Sequence, residues 1–192
     1  MKLTNLVYYS YKKSNHDHIN DHELKRFEHS IRTLREFNDE IPVYLFCDDP
    51  AFIPLYFRLN YNVNVLPFVD EFDHTMLSAW SIHRWYNLRY FKDQSFNILY
   101  LDSDTIFYDN VQYIFDTYSR YDVYGREEFG FRHDPNTGGG KNIRKQLKAV
   151  DDAIINLGGK TEVNKYCCGV ILLNNNIHIK IIDKLDELTE LM

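Results

Sequence analysis

The chain has 192 residues, of which 44% are apolar and 16% aromatic, and its formal net charge is −6. This length suits one compact domain with a core of its own, and the composition excludes a disordered chain. The acidic balance argues against binding to nucleic acid, because affinity for a phosphate backbone relies on clustered Lys and Arg. We therefore expect one domain over residues 1–192, either on its own or as part of a longer protein.

The cysteines and the apolar runs bear on the cellular compartment. Cys47, Cys167 and Cys168 are too few and too clustered for a disulfide framework. No apolar run approaches the roughly 18 residues that a membrane span needs, and the first residues carry no cleavage-like site. Both observations predict a soluble, cytoplasmic chain, unless a membrane anchor lies outside these residues.

Strand and helix patterns alternate along the sequence. A short apolar and aromatic run at 5–10 predicts a strand, and the polar residues 12–22 behind it predict a loop. Apolar residues at steps of three and four predict a helix from Leu24 to Phe37, begun by a capping box of Asn20 and Glu23. The same criteria predict strands at 41–47, 62–69, 96–101, 122–125 and 169–173, helices at 76–91, 111–118, 143–157 and 181–192, and an irregular segment at 126–142.

Residues 96–101 form the strongest strand prediction. Their almost continuous apolar character is typical of a central strand that is covered on both faces. Strands that alternate with helices imply right-handed crossovers and helices on both sides of the sheet. The sequence therefore predicts a three-layer, Rossmann-like α/β fold with a mostly parallel central sheet.

Three polar residues, Asp102, Ser103 and Asp104, follow this strand directly. In a parallel α/β sheet, ligands bind beyond the carboxyl ends of the strands. If the chain stays extended, side chains two residues apart face the same side, so both carboxylates would reach one ligand. Two hard oxygen donors suit Mg²⁺ or Mn²⁺ that is also held by phosphate oxygens. The alternative is a solvated turn, since Asp is common in loops.

Residues 98–107, ILYLDSDTIF, resemble the hydrophobic-YLDxD-T-hydrophobic signature of GT-A fold glycosyltransferases. The resemblance is to the glycogenin and lipopolysaccharide galactosyltransferase type and covers roughly residues 3–175. It implies a GT-A nucleotide-diphospho-sugar transferase in which Asp102 and Asp104 hold Mn²⁺ or Mg²⁺. In such an enzyme the cation neutralises charge that develops on the leaving diphosphate.

Three further segments carry the resemblance. Residues 78–84 are similar to a family helix whose arginine reaches the donor, which gives that role to Arg84. Residues 166–174, YCCGVILLN, are similar to the strand beside the sugar pocket, although Cys167 stands where the family usually has Asn. The first strand is similar to the family's uridine-binding strand. The donor-binding residues implied in this way are Tyr8, Tyr9, Ser10, Arg84, Ser103, Cys168 and Gly169.

The resemblance implies a metal-dependent, hexosyltransferase-like enzyme of carbohydrate biosynthesis. It would move a sugar from a UDP-sugar to a saccharide or a protein-linked acceptor. The family's later histidine motif, which supplies a third metal ligand, has no counterpart before Met192. Either the chain is a trimmed or minimal version of the family, or another residue supplies that ligand.

Other functions are also compatible with parts of the sequence. A non-catalytic or degenerate module that binds sugar nucleotides or carbohydrate would use the Asp triplet structurally. A sugar nucleotidyltransferase normally has a Gly-rich loop after its first strand, yet residues 8–13 contain no glycine. A phosphatase of the haloacid dehalogenase type would need Thr or Val where Ile106 stands. Both of these enzymes therefore rank below a transferase.

The remaining polar clusters suggest less specific roles. The three histidines within residues 16–22 lie in a polar loop without cysteines, which favours a solvated loop over a zinc site. The three glycines at 138–140 precede Lys141, but Asn142 breaks the phosphate-loop pattern, so an acceptor-side loop is expected. An inverting enzyme would need a carboxylate base, whereas in a retaining family member the leaving phosphate can take the proton. The candidate bases are Glu127, Glu128, Asp151 and Asp152.

Overall fold

The structure, a computed structural model, describes residues 3–11, 21–69, 79–127 and 166–190. No helix within these ranges is long and apolar enough to cross a membrane. The strands are Thr4–Tyr11 (β1), Val43–Cys47 (β2), Val63–Pro67 (β3), Phe96–Leu101 (β4), Val123–Glu127 (β5) and Tyr166–Leu173 (β6). The helices are Asp21–Phe37 (α1), Leu55–Asn60 (α2), Ala79–Tyr86 (α3), Gln112–Thr117 (α4) and Ile177–Glu190 (α5), and a 3₁₀ helix at Asn87–Phe91 continues α3.

One sheet of six strands, in the order β3-β2-β1-β4-β6-β5, organises the described residues. Strands β1, β2, β3 and β4 run parallel, and β6 runs antiparallel to β4. In the register, Tyr9 lies opposite Leu101 and Tyr11 lies opposite Cys47. The carboxyl ends of β1, β2 and β4 therefore meet at one edge of the sheet, here called the carboxyl edge. The prediction of a mostly parallel α/β sheet is confirmed.

The central strand β4 is covered on both faces of the sheet. In β4, Leu99 and Leu101 pack in a core layer that contains residues of α1, α2 and α4, while Ile98 and Tyr100 pack in a second layer with the 3₁₀ helix and α5. These four side chains are almost fully buried. The alternation arises because successive side chains of a strand point to opposite faces. It confirms the expected three layers and the central position of residues 96–101.

The chain divides into two compact units, residues 1–124 with 169–192, and residues 125–168. The larger unit contains β1 to β4, their helices and most of β6. Of the smaller unit, the structure describes residues 125–127 and 166–168, which belong to β5 and β6. The single domain over residues 1–192 stays a prediction.

Several predicted boundaries were wrong. Helix α2 was missed, since six residues between Pro54 and Tyr61 do not complete two helical turns. The predicted helix at 76–91 changes to a 3₁₀ helix at Asn87. Strand β5 continues through 126–127, which were expected to be irregular, and β6 and α5 begin earlier than predicted. The loop predicted at 12–22 was wrong for residues 21–22, which begin α1. The rest of that loop, including Asn20 of the capping box, lies outside the described residues, as do residues 76–78 and 128–142 and the helix predicted at 143–157.

Candidate active site

The acidic triplet forms a turn at the carboxyl edge. The backbone N–H of Thr105 donates to the carbonyl of Asp102 at 3.1 Å, which closes the turn. The N–H of Asp102 donates to the carbonyl of Gly169 at 2.8 Å, so the neighbouring strand β6 holds the start of the turn. The extended geometry assumed for residues 102–104 was therefore wrong. Both carboxylates instead project from one turn, with the Asp102 side chain 42% exposed and Asp104 also exposed.

Arg84 lies beneath this turn and is only 6% exposed. Its Nη1 atom is 3.9 Å from Oδ1 of Asp102, and its guanidinium lies 5.1 Å from the ring centroid of Tyr100. An arginine among aromatic residues of a helix could also extend from the surface into solvent, but the buried position of Arg84 excludes that arrangement. The structure instead brings the predicted donor-binding cation together with the first predicted metal ligand.

Tyr100 is a site residue that the sequence argument did not single out. Its hydroxyl donates to Oδ1 of Asp102 at 2.8 Å, while its ring lies in the core between β1 and the arginine. In the sequence, Tyr100 looks like one more large residue in an apolar strand. The available signal was the spacing of the two residues. Side chains two apart in a strand face the same side, so a tyrosine two residues before an aspartate can place its hydroxyl near that carboxylate.

Tyr8 and Tyr9, both predicted to contact the donor, have their rings in the core. The hydroxyl of Tyr8 donates to the backbone carbonyl of Arg84 at 2.5 Å, and its ring centroid is 5.0 Å from that of Tyr100. Burial raises the pKa of Tyr8 well above its ordinary value, so the phenol stays a donor. Tyr9 lies on the other face of β1, where its hydroxyl pairs with that of Ser30. Tyr8 thus supports the backbone of Arg84, and backbone contacts of this strand with a donor stay a prediction.

Ser10, at the carboxyl end of β1, is held by an asparagine that sequence reasoning did not single out. Asn87, which is fully buried, donates from Nδ2 to Oγ of Ser10 at 3.2 Å and accepts from the N–H of Val69 at 3.3 Å. It thereby joins the ends of β1 and the 3₁₀ helix to the segment after β3. A single asparagine inside an apolar helical pattern gives no signal of this role.

The other predicted residues are less completely placed. Ser103 is partly buried in the acidic turn, and Gly169 accepts the hydrogen bond from Asp102. The backbone of Cys168 lies in β6, but its side chain and that of Glu127 are outside the described part of the chain. The described part of the chain also does not include the histidines at 16 and 18, the glycines at 138–140, or the candidate bases Glu128, Asp151 and Asp152.

The donor set of the turn suits a hard divalent cation that is shared with a ligand. Within the described ranges, no group of three or more His, Cys, Asp or Glu residues could hold a metal ion. Two carboxylates alone still fit Mg²⁺ or Mn²⁺, since such ions commonly bind one or two carboxylates together with phosphate oxygens and water. Asp102 and Asp104 are the residues that would supply them.

Cys47, at the carboxyl end of β2, is expected to be chemically inert in the folded protein. It is a free, buried thiol, and burial, followed by the charge of Asp48, raises its pKa to about 12. At pH 8 we expect alkylation by iodoacetamide to be slower by about three orders of magnitude than that of an exposed cysteine, because the thiolate is the nucleophile. Mass spectrometry of a variant with Cys167 and Cys168 replaced by Ala checks this. Labelling of native protein as fast as of urea-unfolded protein would contradict it.

A cavity among the described residues lies at the edge of the sheet opposite the acidic turn. It has a volume of about 400 Å³. Its polar walls are largely paired with one another, since Asn5 donates to Gln112 and Asn110 donates to the carbonyl of Phe37. These bonds join β1 to α4 and the end of α1 to the segment before α4, and we assign the cavity no function. Its lining residues are Leu3, Asn5, Phe37, Asn38, Asp39, Glu40, Ile41, Asn110 and Gln112.

The chain is similar in structure to known glycosyltransferases. Mouse xyloside xylosyltransferase 1 matches with a TM-score of 0.52 and 10% identity, over 96% of this chain and 76% of that protein. An active-site mutant of LgtC matches with a TM-score of 0.57 and 14% identity, over 97% of this chain and 64% of that one. The bifunctional glycosyltransferase WbbM matches with a TM-score of 0.55 and 13% identity, over 97% of this chain and 33% of that one.

These similarities define the class of fold. The chain has the GT-A fold of glycosyltransferases, which confirms the resemblance read from residues 98–107. It spans about three quarters of the xylosyltransferase, just under two thirds of LgtC and one third of WbbM. No protein-family model and no curated protein sequence matches the chain.

Proposed function

We propose that this protein is a metal-dependent glycosyltransferase that moves a sugar from a UDP-sugar to a saccharide or protein-linked acceptor. The observation that carries the proposal is the buried Arg84 beside Asp102, at the turn that follows the central strand of a GT-A sheet. Ligands of open α/β sheets bind at this edge. The site thus combines a buried cation with two carboxylates where a nucleotide diphosphate would lie.

Arg84 is suited to bind a diphosphate. Its guanidinium is fixed by the ring of Tyr100 and by Asp102, and its backbone carbonyl is held by the hydroxyl of Tyr8. A guanidinium carries its charge at all physiological pH values and matches the geometry of phosphate oxygens. Because the group is already oriented, it would stabilise charge on the leaving diphosphate without reorganising during the reaction.

The carboxylates need a cation to take part in binding an anionic donor. A bound Mn²⁺ or Mg²⁺ supplies Lewis-acid stabilisation of the leaving diphosphate. Asp102 and Asp104 would orient the donor by holding this ion, and the hydrogen bond from Asp102 to Gly169 would keep the turn in register with β6. Without a cation, the two carboxylates would repel the diphosphate.

Release of UDP from UDP-glucose and UDP-galactose tests whether the protein is a catalyst or only a binder. We expect both slow hydrolysis and faster release with a suitable saccharide acceptor, each dependent on Mn²⁺ and absent after chelation with EDTA. A coupled assay for UDP, with glycan and peptide acceptors in parallel, gives the measurement. Re-addition of Mn²⁺ after EDTA is the control and should restore the rate.

Two results would point away from this function. Tight binding of UDP-sugars with no release of UDP in any reaction would indicate a sugar-nucleotide-binding module that lacks catalysis. Formation of a UDP-sugar from UTP and a sugar phosphate would indicate a nucleotidyltransferase. Either outcome would leave the GT-A fold unchanged and replace the proposed activity.

A further inference from the structure

The side chain of Tyr100 contacts both charged groups of the site. Its hydroxyl donates to Oδ1 of Asp102 at 2.8 Å, and its ring lies 5.1 Å from the guanidinium of Arg84. Arg84 approaches the same carboxylate oxygen, at 3.9 Å from Nη1. Within the described residues, no hydrogen bond or ion pair of Asp102 involves Oδ2. The two oxygens of this carboxylate therefore have different surroundings.

We infer that Tyr100 is a positioning residue that holds Oδ1 of Asp102 and leaves Oδ2 directed to a divalent cation bound with the nucleotide. This inference rests on the proposed function. The side chain of an aspartate on a half-exposed turn can rotate, and binding a cation would fix it at a cost in conformational entropy. If the carboxylate is already fixed in the free protein, this cost does not reduce the affinity for the cation. One strong, charge-assisted hydrogen bond from a rigid donor limits that rotation.

The donor is rigid because the ring of Tyr100 is part of the core. Tyr100 is 3% exposed and its ring packs against that of Tyr8, whose own hydroxyl is bonded to the backbone of Arg84. The hydroxyl therefore reaches the edge of the site from a fixed ring. Hydrogen-bond partners that orient metal ligands typically alter metal affinity by about 10- to 100-fold when they are removed.

The variant Tyr100→Phe separates the contribution of the hydroxyl from that of the aromatic ring. The phenylalanine keeps the ring that contacts Arg84 and Tyr8 and removes the hydroxyl that donates to Asp102. We expect the factor by which Mn²⁺ increases the affinity for UDP to be about tenfold smaller in this variant than in the unaltered protein. The affinity for UDP without metal should stay unchanged. Calorimetric titration of UDP, with and without Mn²⁺, measures both quantities in the same protein.

Tyr56→Phe is the matched control. Tyr56 donates to Oε2 of Glu28 at 2.9 Å between α2 and α1, so this variant also loses one bond from a tyrosine to a carboxylate. It should titrate as the unaltered protein does, and the melting temperatures of the two variants should be similar. That comparison separates an effect on the site from a general loss of stability.

Three other outcomes of these titrations would overturn the inference, and each has a different meaning for the proposed metal site. If Tyr100→Phe keeps the full effect of Mn²⁺ while Asp104→Asn loses it, the positioning role is wrong and the proposed metal site stands. If Tyr100→Phe weakens UDP equally with and without Mn²⁺, the hydroxyl has only a structural role. If Mn²⁺ does not affect UDP binding in the unaltered protein, both the inference and the proposed metal dependence fail.

Discussion

Replacing Arg84 with Met is expected to lower kcat/KM for sugar transfer by about 100- to 1,000-fold, the loss typical when one fixed donor to a developing anion is removed. Arg84 is the buried cation of the site, and its charge would face the leaving diphosphate. The loss should appear in kcat as well as in KM, because charge on the diphosphate grows as the sugar bond breaks. Steady-state kinetics with a UDP-sugar and an identified acceptor measure it.

The fold should tolerate this change. The bond from Tyr8 goes to the backbone carbonyl of Arg84 and does not depend on the side chain. Asp102 is 42% exposed, so water can replace the lost cation as its partner. Met retains an apolar stem of similar length. Because Asp102 is accessible to water, we expect the free energy of unfolding to change by about 1 kcal/mol, as for exposed ion pairs. Arg84→Lys, which keeps the charge but not the planar group, should have an intermediate rate.

Arg89→Met is the matched control for Arg84→Met. Arg89 pairs with Asp186 of α5 and lies 4.4 Å from the ring centroid of Tyr86, so it makes the same two kinds of contact outside the acidic turn. Its replacement should leave kcat/KM close to that of the unaltered protein. Equal losses in the two arginine variants would mean that Arg84 acts through stability alone and has no direct role at the donor.

The parts of the site that lie in one sequence segment were predictable. The apolar run of β4 and the acidic residues behind it identify a central strand and the edge where ligands bind. These features are local, and the parallel topology follows from alternating strands and helices. The role of Arg84 depended on the resemblance to a family, because an arginine in an apolar helix is compatible with both a surface and a buried position.

The contacts that orient the site depend on tertiary packing and could not be read from the sequence. The turn at 102–105 is closed by a bond within the chain and anchored by Gly169, which is distant in sequence. The rotamers of Tyr8 and Tyr100 are fixed by neighbouring strands and helices, so their hydroxyl partners follow only from the packed structure. Asn87 is a similar case, since its two partners come from different segments.

Replacing Asp104 with Asn should remove the effect of Mn²⁺ on UDP binding. The change keeps the shape of the side chain and removes its charge, and Asp104 is exposed, so stability should change by about 0.5 kcal/mol or less. We expect metal-dependent affinity to fall by at least about 100-fold, the upper end of the losses seen for residues that only orient a ligand. Asp109→Asn, an exposed aspartate on the same segment, is the control and should have no effect.

Calorimetric titration of UDP in the presence and absence of Mn²⁺ tests the central claim most directly, because it reports on the acidic turn before any acceptor is known. The account predicts clearly tighter binding with Mn²⁺ in the unaltered protein and in Asp109→Asn, and no such gain in Asp104→Asn. Equal affinity with and without Mn²⁺ in the unaltered protein, or a full gain in Asp104→Asn, would contradict a metal and diphosphate site at this turn.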